Sequence, residues 1–110
     1  MNEDIKAYIE KYSEEIIDIF KELRRLIFES VSADLTETMW AKLPSYYNGE
    51  KLVRLIPFKD HINIEATAIT PHKSELQGYK ITPKGMLQIY IGQELPKEAL
   101  QRIFTETLGE

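Results

Sequence analysis

The sequence predicts an α+β two-layer sandwich in which N- and C-terminal helices pack on a small antiparallel β-sheet. Three observations carry that expectation. Apolar residues recur at helical steps near both chain ends, period-two alternation fills the middle, and turn signals separate the alternating runs. With 110 residues, 43% of them apolar, the chain 1–110 is expected to form one domain.

The first stripe, within Asp4 to Val31, consists of Ile5, Ile9, Tyr12, Ile16, Phe20, Leu23 and Ile27, steps of three and four that mark an amphipathic helix. Ser13 followed by Glu14 and Glu15 reads as an N-cap with acids in the first turn, so a bend near Ser13 divides a short helix from a longer one. The small and polar run Ser30 to Asp34 ends it, because such side chains compete for backbone hydrogen bonds. After Pro44 the pattern changes from helical to extended. Asn48-Gly49, between Tyr46-Tyr47 and Glu50-Lys51, reads as a type I′ hairpin turn whose two central residues both need φ > 0. Leu52 to Phe58 is rich in β-branched and aromatic residues, and Ile62, Ile64, Ala66 and Ala68 alternate with polar neighbours, giving two antiparallel strands around Lys59-Asp60. Thr70-Pro71 offers a capping hydroxyl before a proline, and Gly78 a stop, which places a short helix at His72 to Gln77. Pro83-Lys84-Gly85 turns the chain into a strand over Met86 to Ile91, with both faces at least half apolar. Leu95-Pro96 opens a last helix carrying Leu100, Ile103, Phe104 and Leu108.

Charge and composition narrow the function classes. Fourteen Lys and Arg against eighteen Asp and Glu leave a net charge of −4, which disfavours general nucleic-acid binding, since phosphate backbones are met by clustered cations. The absence of cysteine removes disulfides, thiolate metal sites and thiol nucleophiles, and suits a reducing cytoplasm. The Met-Asn-Glu-Asp start lacks the basic and apolar regions of a signal peptide, and no apolar run approaches the ~20 residues that span a bilayer, so no membrane role is expected. Phosphate-loop and nucleophile-elbow glycine motifs are missing too.

Two constellations remain. Glu14, Asp18 and Glu22 recur every four residues on the helical face opposite the apolar stripe, with Glu10 and Glu15 nearby. Converging carboxylates are what hard or borderline cations prefer, while Lys11, Lys21 and Arg25 on the same face make a solvated charged surface the competing reading. The second constellation is Trp40, Tyr46, Tyr47, Phe58, His61 and Tyr79, large rings with polar handles of the kind that line ligand pockets, or that fill the edge of a sheet core. His61 and His72 are too far apart in sequence for a compact zinc motif. A His61 close to Glu37 and Tyr79 would titrate near neutral pH, making Glu37 with His61 the one acid–base pair worth testing by geometry.

The ordered series Glu37-x-x-Trp40-x-x-x-Pro44-x-Tyr46, Lys59-x-His61-Ile62, Tyr79 to Gly85 and Leu95-Pro96 resembles the YdhG-like family of small bacterial domains, grouped with frataxin-type intracellular iron chaperones. The likeness runs from Ile5-x-x-Tyr8-Ile9 to the C-terminal helix, with departures at Val31-Ser32-Ala33, where a proline is common, and at Trp40, where a tyrosine is common. It implies a frataxin-like topology and weakly held iron, Fe²⁺ or Fe³⁺, delivered to iron–sulfur or haem assembly proteins by a monomer or weak dimer. Frataxin-type proteins hold iron by acidic residues on and near the first helix; by analogy of fold, not by matched motif positions, the resemblance points here to Glu10, Glu14, Glu15, Asp18 and Glu22. The matched positions Glu37, Trp40, Pro44, Lys59, His61 and Tyr79, with Tyr46, suggest a groove beside the hairpin. Two functional expectations follow: non-enzymatic iron delivery from exposed carboxylates, or a small-ligand or peptide binding module using that aromatic groove.

Overall fold

Side-chain caps set where the N-terminal helices begin in the computed structural model, which describes residues 1–109. Asn2 Oδ1 accepts from the amides of Asp4 and Ile5 at 2.8 and 3.2 Å and opens α1, Glu3–Ile9. Ser13 Oγ accepts from the Ile16 amide at 3.3 Å and opens α2, Glu14–Ser30, whose first-turn Glu14 and Glu15 complement the helix dipole. The expected bend at Ser13 is thus a helix boundary. At the far end Val31 turns extended, and the Ser30 carbonyl accepts from the Thr105 hydroxyl at 2.9 Å.

Six strands follow: β1 (Thr36–Trp40), β2 (Leu43–Asn48), β3 (Lys51–Pro57), β4 (His61–Glu65), β5 (Lys80–Ile81) and β6 (Leu87–Tyr90). They form one antiparallel sheet in the order β1-β2-β3-β4-β6-β5. A 3-10 helix, Thr70–Glu75, lies between β4 and β5, and α3, Lys97–Leu108, closes the chain. The register puts Tyr46, Val53, Leu55, Ile62, Ile64, Leu87 and Ile89 on one face, each buried, against Ile16, Phe20, Leu23 and Ile27 of α2 and Leu100, Ile103 and Phe104 of α3. This is the expected two-layer α+β sandwich. Among the described residues, no helix is long and apolar enough to cross a membrane.

Side chains tie the C-terminal helix to the rest. Asn48 Nδ2 donates to the Leu108 carbonyl at 2.6 Å, Lys51 Nζ donates to the Gly109 carbonyl, and the Ala68 amide donates to Thr107 Oγ1 at 3.2 Å. Carbonyls left without partners at a helix C-terminus are thereby satisfied. Both ring nitrogens of His72 meet carboxylates, Nδ1 that of Glu75 and Nε2 that of Glu106 at 2.5 Å, which raises the His72 pKa and clips the 3-10 helix to α3.

Several local expectations need correction. The extended region begins before Pro44: β1 pairs with β2 from Thr36↔Tyr47 to Trp40↔Leu43, so Pro44 lies inside a hairpin. Its turn is Ala41-Lys42, at φ 51 and 67, the backbone of a type I′ turn made by residues that do not advertise it. The next hairpin turns one residue later than expected. Asn48 pairs with Lys51, so Gly49-Glu50 is the two-residue loop, with Gly49 alone at positive φ, as in a type II′ turn. Asn48 stays in the strand because its amide caps α3. Thr70 caps nothing: Ile69 holds the cap position without a side-chain hydrogen bond, and the segment is 3-10 and starts earlier than expected. The fourth strand ends at Glu65, after which Ala66 and Ala68 enter the core from a turn.

Left-handed backbone at Lys42 costs a residue bearing Cβ roughly 1–2 kcal/mol. Lys42→Gly removes that strain against a smaller entropic loss, so it is expected to stabilise the fold by about 0.5–1 kcal/mol, read as a higher urea midpoint at unchanged slope.

Candidate binding face

Side chains alternate along a strand, so every core residue of the sheet has neighbours on the opposite face. That face carries Thr38 and Trp40 of β1, Leu43, Ser45 and Tyr47 of β2, Leu52, Arg54 and Ile56 of β3, His61, Asn63 and Glu65 of β4, Gln88 and Tyr90 of β6, and Lys80 of β5. None of its large apolar side chains belongs to the helix-packed core. It is the uncovered side of the sandwich.

Two ring-and-cation groups organise it. Trp40, 53% exposed, lies over the Arg54 guanidinium, whose carbon is 4.8 Å from the ring centroid. Phe58, His61 and Tyr90 form a stack with centroid spacings of 4.6 and 4.7 Å and interplanar angles of 9° and 25°. The Lys80 ammonium sits 5.4 Å from the Tyr90 centroid, within cation–π range. The β3–β4 turn makes this stack: Phe58 donates its amide to the His61 carbonyl at 2.8 Å, and His61 pairs with Tyr90 across β4 and β6.

Polar groups link the rings. His61 Nδ1 is 2.7 Å from Asp60 Oδ1, a hydrogen bond that holds the Asp60 carboxyl below its usual pKa. Gln88 Nε2 donates to Asn63 Oδ1 at 3.1 Å, and the Tyr90 hydroxyl donates to Gln88 Oε1 at 3.3 Å. The row is pre-ordered by these hydrogen bonds. Clefts of about 400 and 500 Å³ lie off this face, one between α1 and α2 beside Lys6, Glu10 and Lys21, the other beside Glu22, Leu95 and Lys97, and a third of about 310 Å³ borders the face at Leu52 and Glu65.

The residues expected to line one groove are divided by the sheet. Trp40 and His61 are on the open face, whereas Glu37, Pro44 and Tyr46 share the core face by register. Lys59 lies in the exposed β3–β4 turn, and the Tyr79 hydroxyl donates to the Glu94 carbonyl. Glu37 and His61 therefore do not meet, and the proposed acid–base pair lacks its geometry. The face also carries Arg54, Tyr90, Gln88 and Lys80, which no motif marks. Arg54 and Tyr90 occupy strand positions out of phase with Val53, Leu55, Leu87 and Ile89, so period-two alternation was the signal for them.

Glu37 has a different task. Its carboxylate takes Arg24 Nε at 2.5 Å and Nη2 at 3.1 Å, plus the Asn2 amide at 2.9 Å, fastening α1 and α2 to β1. Burial pushes the Glu37 pKa up, but the hydrogen bonds from Arg24 and Asn2 outweigh it and leave the group below its ordinary value. The Tyr46 hydroxyl, buried beside this pair without a hydrogen bond of ordinary geometry, has its pKa raised by desolvation and the Glu37 charge.

The acidic residues of the helices are dispersed. Glu22 pairs with Arg25 and stands 3.6 Å from Lys97 Nζ, and Arg25 also reaches Glu29 at 2.6 Å. Glu10 borders the α1–α2 cleft with Lys6 and Lys21, while Glu14, Glu15 and Asp18 are exposed along α2. Among the described residues, no three His, Asp or Glu side chains are arranged to hold a metal ion.

Glu37→Gln leaves the half-buried Arg24 charge unpaired and is expected to cost about 1–3 kcal/mol at neutral pH. The folded pKa of Glu37 is depressed, so its contribution is full above the unfolded value of about 4.3 and fades as pH falls through the folded pKa. Denaturation midpoints of wild type and variant should therefore converge in acid; a gap independent of pH would contradict the assignment. No family model, curated protein or solved structure matches the chain.

Proposed function

We propose that the protein is a non-enzymatic binding module that takes a segment of a partner polypeptide onto its open sheet face. One observation carries this reading: a face with no helix over it presents Trp40 at 53% exposure and Phe58 at 42%, each stacked on or against a second functional group. Exposed rings normally cost solvation, and held in fixed orientation beside cations they are the residue types that dominate protein interfaces.

Trp40, Phe58 and Tyr90 lie outside the helix-packed core, so truncating them spares the fold. In an amide chemical-shift titration against a library of short peptides, binders are expected to perturb Trp40, Tyr47, His61 and Tyr90, and Trp40→Ala with Phe58→Ala to weaken them at least about tenfold. Perturbations confined to the helix layer, or none with any peptide, would remove this reading.

Iron delivery is the second reading, supported by the family resemblance and by the exposed carboxylates of Glu14, Glu15 and Asp18 on one helix. Weak oxygen ligation suits a donor, because the ion passes readily to a better site. Saturable anaerobic Fe²⁺ binding that broadens Glu14 and Asp18, and drops several-fold in Glu14→Gln with Asp18→Asn, is the expected result. An equal response to Mg²⁺ would mark general charge attraction instead.

A further inference from the structure

We propose that Arg54 is a carboxylate receptor, a site where an acidic side chain of the bound polypeptide pairs with the guanidinium beneath Trp40. The proposal rests on the open-face reading above and specifies its ligand. Arg54 projects from the middle of β3, between Ser45 of β2 and Glu65 of β4. Its side chain is only 14% exposed, and its one ion pair, with Glu65, is long. Nε is buried without a hydrogen-bond partner, and the nearest carboxylate oxygen, Glu65 Oε1, stands 3.8 Å from Nη1, beyond hydrogen-bond reach. The neighbouring Ser45 hydroxyl donates to the Leu43 carbonyl at 3.0 Å.

The chain supplies its own comparison. Arg24, on the other face, is more exposed at 26% and has a two-point ion pair with Glu37. Arg54 is more enclosed and keeps a cation–π contact with Trp40, which orients the guanidinium plane but fills none of its five N–H donors. A planar, oriented, under-bonded guanidinium matches a carboxylate in two-point geometry. Charge points the same way. The open face carries Arg54 and Lys80 against Glu65, a local positive excess in a chain of net charge −4, so acidic segments are drawn to this side of the molecule. Leu43 and Ile56 flank the site on the same face and suit apolar residues on either side of the acid.

Trp40 is the chain's single tryptophan, so its fluorescence and its indole resonance report on this site alone. The test titrates the whole protein with a short peptide alternating glutamate and leucine, its glutamine–leucine counterpart, and a single-stranded oligonucleotide, following the Trp40 indole and Arg54 Nε–H signals. Saturable shifts of both signals with the glutamate peptide are expected, at least about tenfold weaker with the glutamine peptide and in Arg54→Gln, with partial recovery in Arg54→Lys. Circular dichroism verifies that each variant is folded. Equal binding of the two peptides on the open face, or full binding by Arg54→Gln, would overturn the carboxylate assignment and leave the open-face reading standing. Tighter binding of the oligonucleotide replaces carboxylate by phosphate and overturns it as well. No peptide on the open face at all removes both.

Discussion

Burial on a single face of the sheet is the constraint from which the rest of this structure follows. α2 and α3 carry apolar stripes, and both stripes find the same surface, the row from Tyr46 through Val53, Leu55, Ile62 and Ile64 to Leu87 and Ile89. Because strand side chains alternate, closing one face exposes the other. Trp40, His61 and Tyr90 thus occupy a side that no helix covers, held by the His61–Tyr90 stack, the Trp40–Arg54 cation–π contact and the Tyr90–Gln88 hydrogen bond.

Electrostatics then separates two arginines of the chain. Arg24 and Glu37 satisfy each other in two-point geometry and join α2 to β1, with Asn2 bringing the start of α1 to the same carboxylate. Arg54, of the same residue type and less exposed, is aligned by Trp40 and left short of hydrogen bonds. The first arrangement is complete within the chain. The second leaves a buried donor without a partner, which is why the open face and not the helix layer is where recognition is sought.

Legibility in the sequence followed the range of the interactions. The stripe from Ile5 to Ile27, the Ser13 cap and the strand pair around Lys59-Asp60 were readable because each depends on residues within a few positions of one another. β1 was not readable: Thr36–Trp40 has mixed exposure and no clean alternation, and the Ala41-Lys42 turn lacks the Asn or Gly that usually signals left-handed backbone. β5 is only two residues long. Asn48 misled for a different reason. As a dipeptide with Gly49 it favours the turn, but a carbonyl sixty positions away, that of Leu108, claims its side chain.

The candidate site shows the same division. By itself the sequence determined the helix phases, the principal cap at Ser13, the α+β class and a set of rings near the hairpins, since propensity and periodicity act locally. The family resemblance and the chemistry of an acid–base pair grouped Glu37, Tyr46 and His61 as neighbours. Only the tertiary structure decided that the sheet stands between His61 and the other two, that Phe58, His61 and Tyr90 stack, and that Trp40 covers Arg54. Those pairings depend on the register of β1 with β2, β2 with β3 and β4 with β6, and a shift of one residue would move each side chain to the opposite face. Register is a property of the assembled sheet and its turns, so a residue's face is decided by partners distant in sequence.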